Sequence, residues 1–511
     1  MINGIASDDL FEDGRNPYLA PLAAALDTET LITRLEYSPL TRIDVKRLTN
    51  QQRLDLLASL QREQFEPTSS SLDIGRRILR MIRRGYLARD PCKPHVRKKT
   101  MAIARFAGEA IDKLPWLPES AMGMNIKGIT GLGKTYEARR VLSLIPQRID
   151  HSRNIEAGWE YLRQAVWLYV GMSHDGSLGG LLVQILVALD DALGTSYSSD
   201  PSLLRLSNEK LAVRIGILLR LHAVGVLVID EIQERNLTSG ARGGSLAVTF
   251  FLRVLNFGIP LLLIGNPMGM DRLGGFVQDI RRLSEGGSLE VHPAEPDDFD
   301  WGHCIAPSYW RYDVMPEGTR ISDPDGRILY HYSGGFRSYA ARVRCKSQEL
   351  ALDLGSAFVD QSHMDLAFNG SDFDERERDL IRGFRDKNPV LLMQFADIPW
   401  RQYAILWGRI DLPTSTNDAL LEGKKCLSDE SPCRDATERA MITGESEIRG
   451  DEPVLKRIGE SIRRSRTRKA NEAARQAEIR KDLSPEDMRN RGLQEYLIEG
   501  FESLKRPNSA D

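Results

Sequence analysis

Eight residues constrain this chain more than any others. Gly128-Ile-Thr-Gly-Leu-Gly-Lys-Thr135 fits the pattern G-x-x-x-x-G-K-[ST] and runs into a helical pattern from about Tyr136. Glycines in such a run let backbone N–H groups turn inward around phosphate, while Lys134 can reach the β and γ phosphates and Thr135 can hold Mg²⁺. So short a pattern also arises by chance and needs a second element beside it. That element is Gly225-Val-Leu-Val-Ile-Asp-Glu-Ile232, an apolar, β-branched run carrying two adjacent acids near its end. It reads as a strand buried on both faces, its carboxylates at the end where open α/β sheets bind ligands. A buried strand with a polar end is the plainer reading of the run taken alone.

Asp230 is placed to hold the metal through water and Glu231 to orient an attacking water. A third run, Pro260-Leu-Leu-Leu-Ile-Gly-Asn266, ends in an amide able to sense the γ-phosphate. The three runs in this order predict a P-loop NTPase that takes ATP and Mg²⁺. Its nucleotide contacts are expected at Gly128, Thr130, Gly131, Leu132, Gly133, Lys134, Thr135 and Tyr136, and its metal contacts at Thr135 and Asp230.

Strand candidates at Met122–Lys127, Ala165–Gly171, Gly225–Ile229, Leu261–Ile264 and Ser288–Val291 alternate with helical stretches, which implies βαβ units and a parallel sheet. The strand around Trp167 falls between the two nucleotide motifs. Simple kinases and GTPases usually lack it, so the ring-forming and helicase-like branch of P-loop proteins is favoured. The expected fold is therefore α/β, with a five-stranded parallel sheet and a helical lid, flanked by helical regions at both ends.

Residues 1–105 read as a helical leader domain, with Leu56, Leu57, Leu60 and Ile74, Ile78, Ile82 recurring at about one helical turn. The nucleotide-binding core is expected over 106–293 and the lid over 294–356. The lid contains Ser333-Gly-Gly-Phe-Arg337, which carries an arginine toward the nucleotide. A mixed, largely helical extension follows over 357–421. From 422 to 453 Ser, Asp, Glu and Gly dominate and too little apolar surface is present to offset chain entropy, so a flexible tether is expected. Residues 454–511 read as a basic helical tail with three readings open: a solvated helix, a DNA contact, or a dock for a partner. No internal repeat is visible.

At 511 residues, 41% hydrophobic and 28% charged, the chain has room for several domains of ordinary globular composition. No stretch approaches the length of a membrane span, and Asp8, Asp9, Glu12 and Asp13 stand where a signal peptide needs basic and apolar residues. A cytoplasmic protein without a membrane partner is expected. The five cysteines show no C-x-x-C pair, so neither a disulfide framework nor a zinc ribbon follows, and no metal beyond Mg²⁺ is expected. A net charge of −3 leaves nucleic-acid affinity to local basic patches. Such patches lie at Arg97, Lys98 and Lys99 and between Lys456 and Lys469.

Taken as a set, Gly128–Thr135, Gln164-Ala-Val-Trp-Leu with Asp175-Gly-Ser177, Ile229-Asp-Glu-Ile-Gln233, Gly265-Asn-Pro267 and Ser333-Gly-Gly335 resemble the TnsC and TniB group of AAA+ ATPases that regulate DNA transposition. The likeness covers roughly residues 60–355, and the length and carboxyl-terminal extension look more like TnsC. The resemblance implies an ATPase that assembles as a ring or helical filament on double-stranded DNA, with six or seven subunits per turn as the expected range. It also implies partners: a DDE transposase with its endonuclease subunit, and a target selector that is either a protein or a guide-RNA complex. Carried over by position, Asn266 is the first sensor, Arg337 the second, and Asp230 with Glu231 the acidic pair.

One of Arg281 and Arg282 would be the finger offered to a neighbouring copy; an exposed, salt-bridged helix face is the plainer reading of that pair. Arg235 and Arg242, with Lys210 behind them, are the candidates for DNA phosphate contact. Two other readings compete: a helicase loader or replication initiator of the same AAA+ branch, and a signalling NTPase, which would need a repeat array that this sequence lacks.

Overall fold

The computed structural model describes residues 15–22, 27–106, 121–173, 176–233, 243–273 and 277–409. The tether, the basic tail, Asp175, Arg235 and Arg242 lie outside these residues. The described residues form two compact units, one of 15–37 with 70–292, the other of 38–69 with 293–409.

The first unit is built on five parallel strands: β1 (Gly123–Gly128), β4 (Trp167–Gly171), β5 (Val226–Ile232), β6 (Leu261–Gly265) and β7 (Ser288–Val291), in the order β4-β5-β6-β1-β7. This is the α/β arrangement expected from the sequence. The central strands explain themselves: every residue of β6 is buried, and so is every residue of β5 except Glu231. Runs of Val, Leu and Ile suit strands covered on both faces, whereas an amphipathic alternation would leave half of them in water. The outer strand β7 alternates between exposed and half-buried positions, as an edge does.

Helices α1 (Thr28–Leu35), α3 (Ser69–Ala88) and α4 (Pro94–Ala104) belong to this unit, together with α5 (Lys134–Leu142), α6 (Leu178–Leu193), α7 (Pro201–Leu204) and α8 (Asn208–Leu221). Helix α6 begins on Ser177, whose hydroxyl accepts from Gly180 N, and stops at Gly194. Its Leu181, Leu182, Ile185, Leu186 and Leu189 are all fully buried with Leu168, Leu227 and Leu263 of the sheet in one apolar core. Each such side chain contributes roughly 1.5–3 kcal/mol of transfer free energy. A hairpin of β2 (Arg148–His151) and β3 (Leu162–Ala165) stands apart as a two-stranded antiparallel sheet.

The leader region does not pack as one body. Helix α2 (Asn50–Glu63) belongs to the second unit, where Leu57 and Leu60 share a core with Val314, Met315 and Leu352. The apolar spacing that marks these helices reveals that one face is buried and not which neighbour buries it. Among the described residues, the other α-helices of the second unit are Ala306–Arg311, Arg327–Ser333, Arg337–Asp353, Gln361–Asn369, Glu375–Arg385, Pro389–Leu392 and Trp400–Leu406. Trp301, Tyr332 and Phe336 are among its most deeply buried side chains. Arg344 is buried there too, giving Nη1 to Gln64 Oε1 at 2.5 Å and to the Tyr309 carbonyl at 3.4 Å.

Candidate functional site

Strand β1 ends at Gly128 and α5 begins at Lys134, so the loop between them lies at the carboxyl edge of the sheet. Two of its glycines, Gly131 at φ 89° and Gly133 at φ 90°, hold left-handed backbone that a side chain would strain. Gly133 is also the N-cap of α5, which leaves the first N–H groups of that helix free of a side-chain cap. Ile129 and Leu132 anchor the loop by burial, 1% and 3% exposed, while Thr130 faces solvent. Tyr136 follows within the first turn of α5.

Lys134 folds back over this loop and donates from Nζ to the Ile129 carbonyl at 2.7 Å. Burial pushes its ammonium down to about 8, although Asp230 and Glu137 pull the other way. A desolvated ammonium held by one backbone carbonyl is in the place and state of a group built to meet phosphate oxygens.

Asp230 stands on β5 beside the loop. It is 4% exposed, and Thr135 Oγ1 donates to its Oδ2 at 2.7 Å. The phenol of Tyr169, from β4, donates to the same oxygen, and the backbone N–H of Glu231 donates to Oδ1 at 2.7 Å. The β5–β6 ladder is irregular between Ile229 and Ile232, and Glu231 takes a left-handed φ of 59° there. Backbone in that region costs an ordinary residue about 1 kcal/mol or more and collects at functional sites. The consequence is that Asp230 points inward while Glu231 is exposed.

Asn266 follows β6 directly and is 5% exposed. Its Oδ1 accepts from Gly269 N at 2.7 Å, capping the helix Pro267–Leu273. The cap commits the oxygen and fixes the amide, whose Nδ2 is the end left to donate.

The two candidate finger arginines differ. In the helix Val277–Leu283, Arg282 donates to Asn256 Oδ1 of its own chain, whereas Arg281 is exposed and has no hydrogen bond or ion pair among the described residues. Lys210 is exposed on α8. Arg337 belongs to the second unit, where it opens the helix Arg337–Asp353 and donates to Thr68 Oγ1 at 2.8 Å. Lys134, Thr135, Asp230 and Glu231 stand together, and Tyr169 joins them. A tyrosine within a strand carries no motif; only the pairing of β4 with β5 brings it to Asp230.

The loop, the adjacent acids and the parallel sheet define an α/β AAA+ core. Residues 119–273 match the family model described as AAA domain. No curated protein matches the sequence. Among solved structures, the ORC1 protein of Aeropyrum pernix in complex with DNA is 19% identical, with a TM-score of 0.33 over 68% of this chain and 92% of that one. Drosophila ORC bound to DNA is 13% identical, with a TM-score of 0.32 over 69% and 87%. The RuvB Holliday junction branch migration motor of Thermotoga maritima is 15% identical, with a TM-score of 0.29 over 64% and 86%. Likenesses of that size carry no weight on function. Among the described residues no helix is long and apolar enough to cross a membrane.

Proposed function

We propose that the chain is a Mg²⁺-dependent ATPase whose site is completed by a neighbouring copy, and that it acts as a nucleotide-controlled switch on duplex DNA. The supporting observation is the cluster of Thr135 Oγ1 on Asp230 at 2.7 Å beside the desolvated Lys134. A backbone cradle, a buried carboxylate bonded to a hydroxyl, and a buried ammonium together suit a metal-bound polyphosphate. The loop N–H groups and Lys134 would bind phosphate oxygens, and Thr135 with Asp230 would hold the ion. Bound Mg²⁺ neutralises charge on the β and γ oxygens.

Glu231 would orient the attacking water and take its proton at the carboxylate. Asn266 would donate from Nδ2 toward the γ-phosphate side, its oxygen being committed to the cap. Arg281 is the better finger of the two, since Arg282 is spent on Asn256. A guanidinium supplied in trans is worth ~10³ to 10⁵ in rate in well-studied GTPases. Arg337 is proposed as the second sensor, and Arg235, Arg242 and Lys210 as phosphate contacts on DNA.

A role in transposition, with transposase and selector as partners, rests on the motif resemblance alone. The second reading is a replication initiator or helicase loader, which the AAA domain match over residues 119–273 accommodates equally. Hydrolysis and DNA-bound assembly of the wild type, Glu231→Gln and Lys134→Ala test the shared core of both readings. Glu231→Gln is expected to bind ATP, turn it over poorly and persist on DNA, while Lys134→Ala fails to assemble. Equal assembly by both variants with and without ATP overturns the switch. Stimulation of a transposase against loading of a replicative helicase separates the two settings.

A further inference from the structure

We infer that Tyr169 is a positioning residue for Asp230, its phenol locking the carboxylate in the one orientation that can serve the metal. The inference rests on the ATPase reading above. In the β4–β5 pairing Tyr169 stands opposite Val228 and Gly171 opposite Asp230. Asp230 lies two residues beyond Val228, so the two side chains rise from the same face of the sheet and meet along the diagonal.

An ionised carboxylate offers about four acceptor positions. Tyr169 OH and Thr135 Oγ1 take both positions of Oδ2, and Glu231 N–H takes one on Oδ1. One position on Oδ1 is left for an outside donor, and the group cannot turn about its Cβ–Cγ bond without giving up these contacts. Fixing an outer carboxylate in this way orients whatever it holds, and loss of such a support commonly weakens metal sites.

Tyr169 is itself held in place. The Arg139 guanidinium, projecting from α5 just past the phosphate loop, lies over its ring at 4.5 Å. A tyrosine hydroxyl is un-ionised at physiological pH, so it remains a donor. The tyrosine therefore ties the helix after the phosphate loop to the acid on β5.

The test measures binding of a fluorescent, slowly hydrolysed ATP analogue to the full chain at increasing Mg²⁺, and again with a chelator. Tyr169→Phe keeps the ring and removes only the hydroxyl. It should raise the half-saturating Mg²⁺ about tenfold, the loss of one charge-assisted hydrogen bond, and leave metal-free affinity within about twofold. In an Asp230→Asn background the same substitution should add less than about twofold, because the group it acts through is gone.

An unchanged Mg²⁺ requirement, an equal loss of metal-free affinity, or a full effect in the Asp230→Asn background overturns the assignment. If Tyr169→Phe has no cooperative melting transition, Arg139→Ala takes its place. That variant unclamps the ring and should raise the Mg²⁺ requirement by about two- to threefold, consistent with a cation–π contact; no change there overturns the assignment equally. A wild type that ignores the analogue at all Mg²⁺ concentrations brings down the ATPase reading itself, a result that cannot be confused with the others.

Discussion

Lys134 should make nucleotide binding depend on pH. Without nucleotide its ammonium is held by burial at about 8, against the pull of Asp230 and Glu137. With phosphate oxygens around it the ammonium should stay charged well above that value. Nucleotide binding above pH 8 must then take up a proton, and affinity should fall as pH rises. The charged fraction of the free protein drops from about ten in eleven at pH 7 to about one in eleven at pH 9, which predicts ~tenfold weaker binding at pH 9.

The phosphates of ATP are already ionised over that interval, and Tyr169 titrates above it. Fluorescence titration of a nucleotide analogue from pH 7 to 9 gives the slope. Calorimetry in two buffers of different ionisation heat gives the proton uptake, about one per nucleotide at pH 9. The sign for folding is opposite: a lysine whose folded pKa is depressed penalises the fold while charged. The nucleotide-free protein should therefore gain stability through Lys134 as pH rises from about 8 toward the free-lysine value, a gain absent in Lys134→Met. Flat affinity from pH 7 to 9 with no proton uptake would refute the desolvated-lysine argument.

Glu231→Gln should cut hydrolysis at least ~10²-fold with nucleotide affinity nearly unchanged, because the residue is exposed at the strand end and the substitution keeps the backbone N–H that donates to Asp230; steady-state rates beside binding constants check this. Gly133→Ala forces a side chain onto φ 90° and should cost about 1–2 kcal/mol, read as a roughly tenfold loss of nucleotide affinity, with no loss sinking the cradle geometry. In the second unit, Arg344→Ala strips buried Gln64 Oε1 and the Tyr309 carbonyl of a donor and should destabilise by about 3 kcal/mol in urea unfolding; a change below about 1 kcal/mol would contradict the network described.

Much of the first unit was legible because its strands are buried on both faces: Val226–Ile229 and Leu261–Ile264 can be little else. The hairpin was not. Arg148–His151 alternates exposed with half-buried residues and carries two charges, so no apolar run announces it, and Leu162–Ala165 blends into the run that ends at Gly171. Helix periodicity found the leader helices without assigning them to units, since a stripe of leucines names no partner. At the site, Lys134, Thr135 and Asp230 were readable because motif spacing encodes a loop. The strained backbone of Glu231, the capping role of Asn266 and the reach of Tyr169 depend on strand register and helix starts, which no local pattern carries.

In the proposed assembly one copy supplies the cradle and acids while its neighbour supplies the cation. Mixing two inactive variants tests this: Glu231→Gln assembles and retains the finger, Arg281→Ala retains the cradle and acids, and each alone should hydrolyse ATP at less than about a hundredth of the wild-type rate. The mixture is expected to regain a substantial part of that rate at protein concentrations where copies associate. No recovery on mixing, together with a wild-type rate per subunit that does not change on dilution, would contradict the shared site.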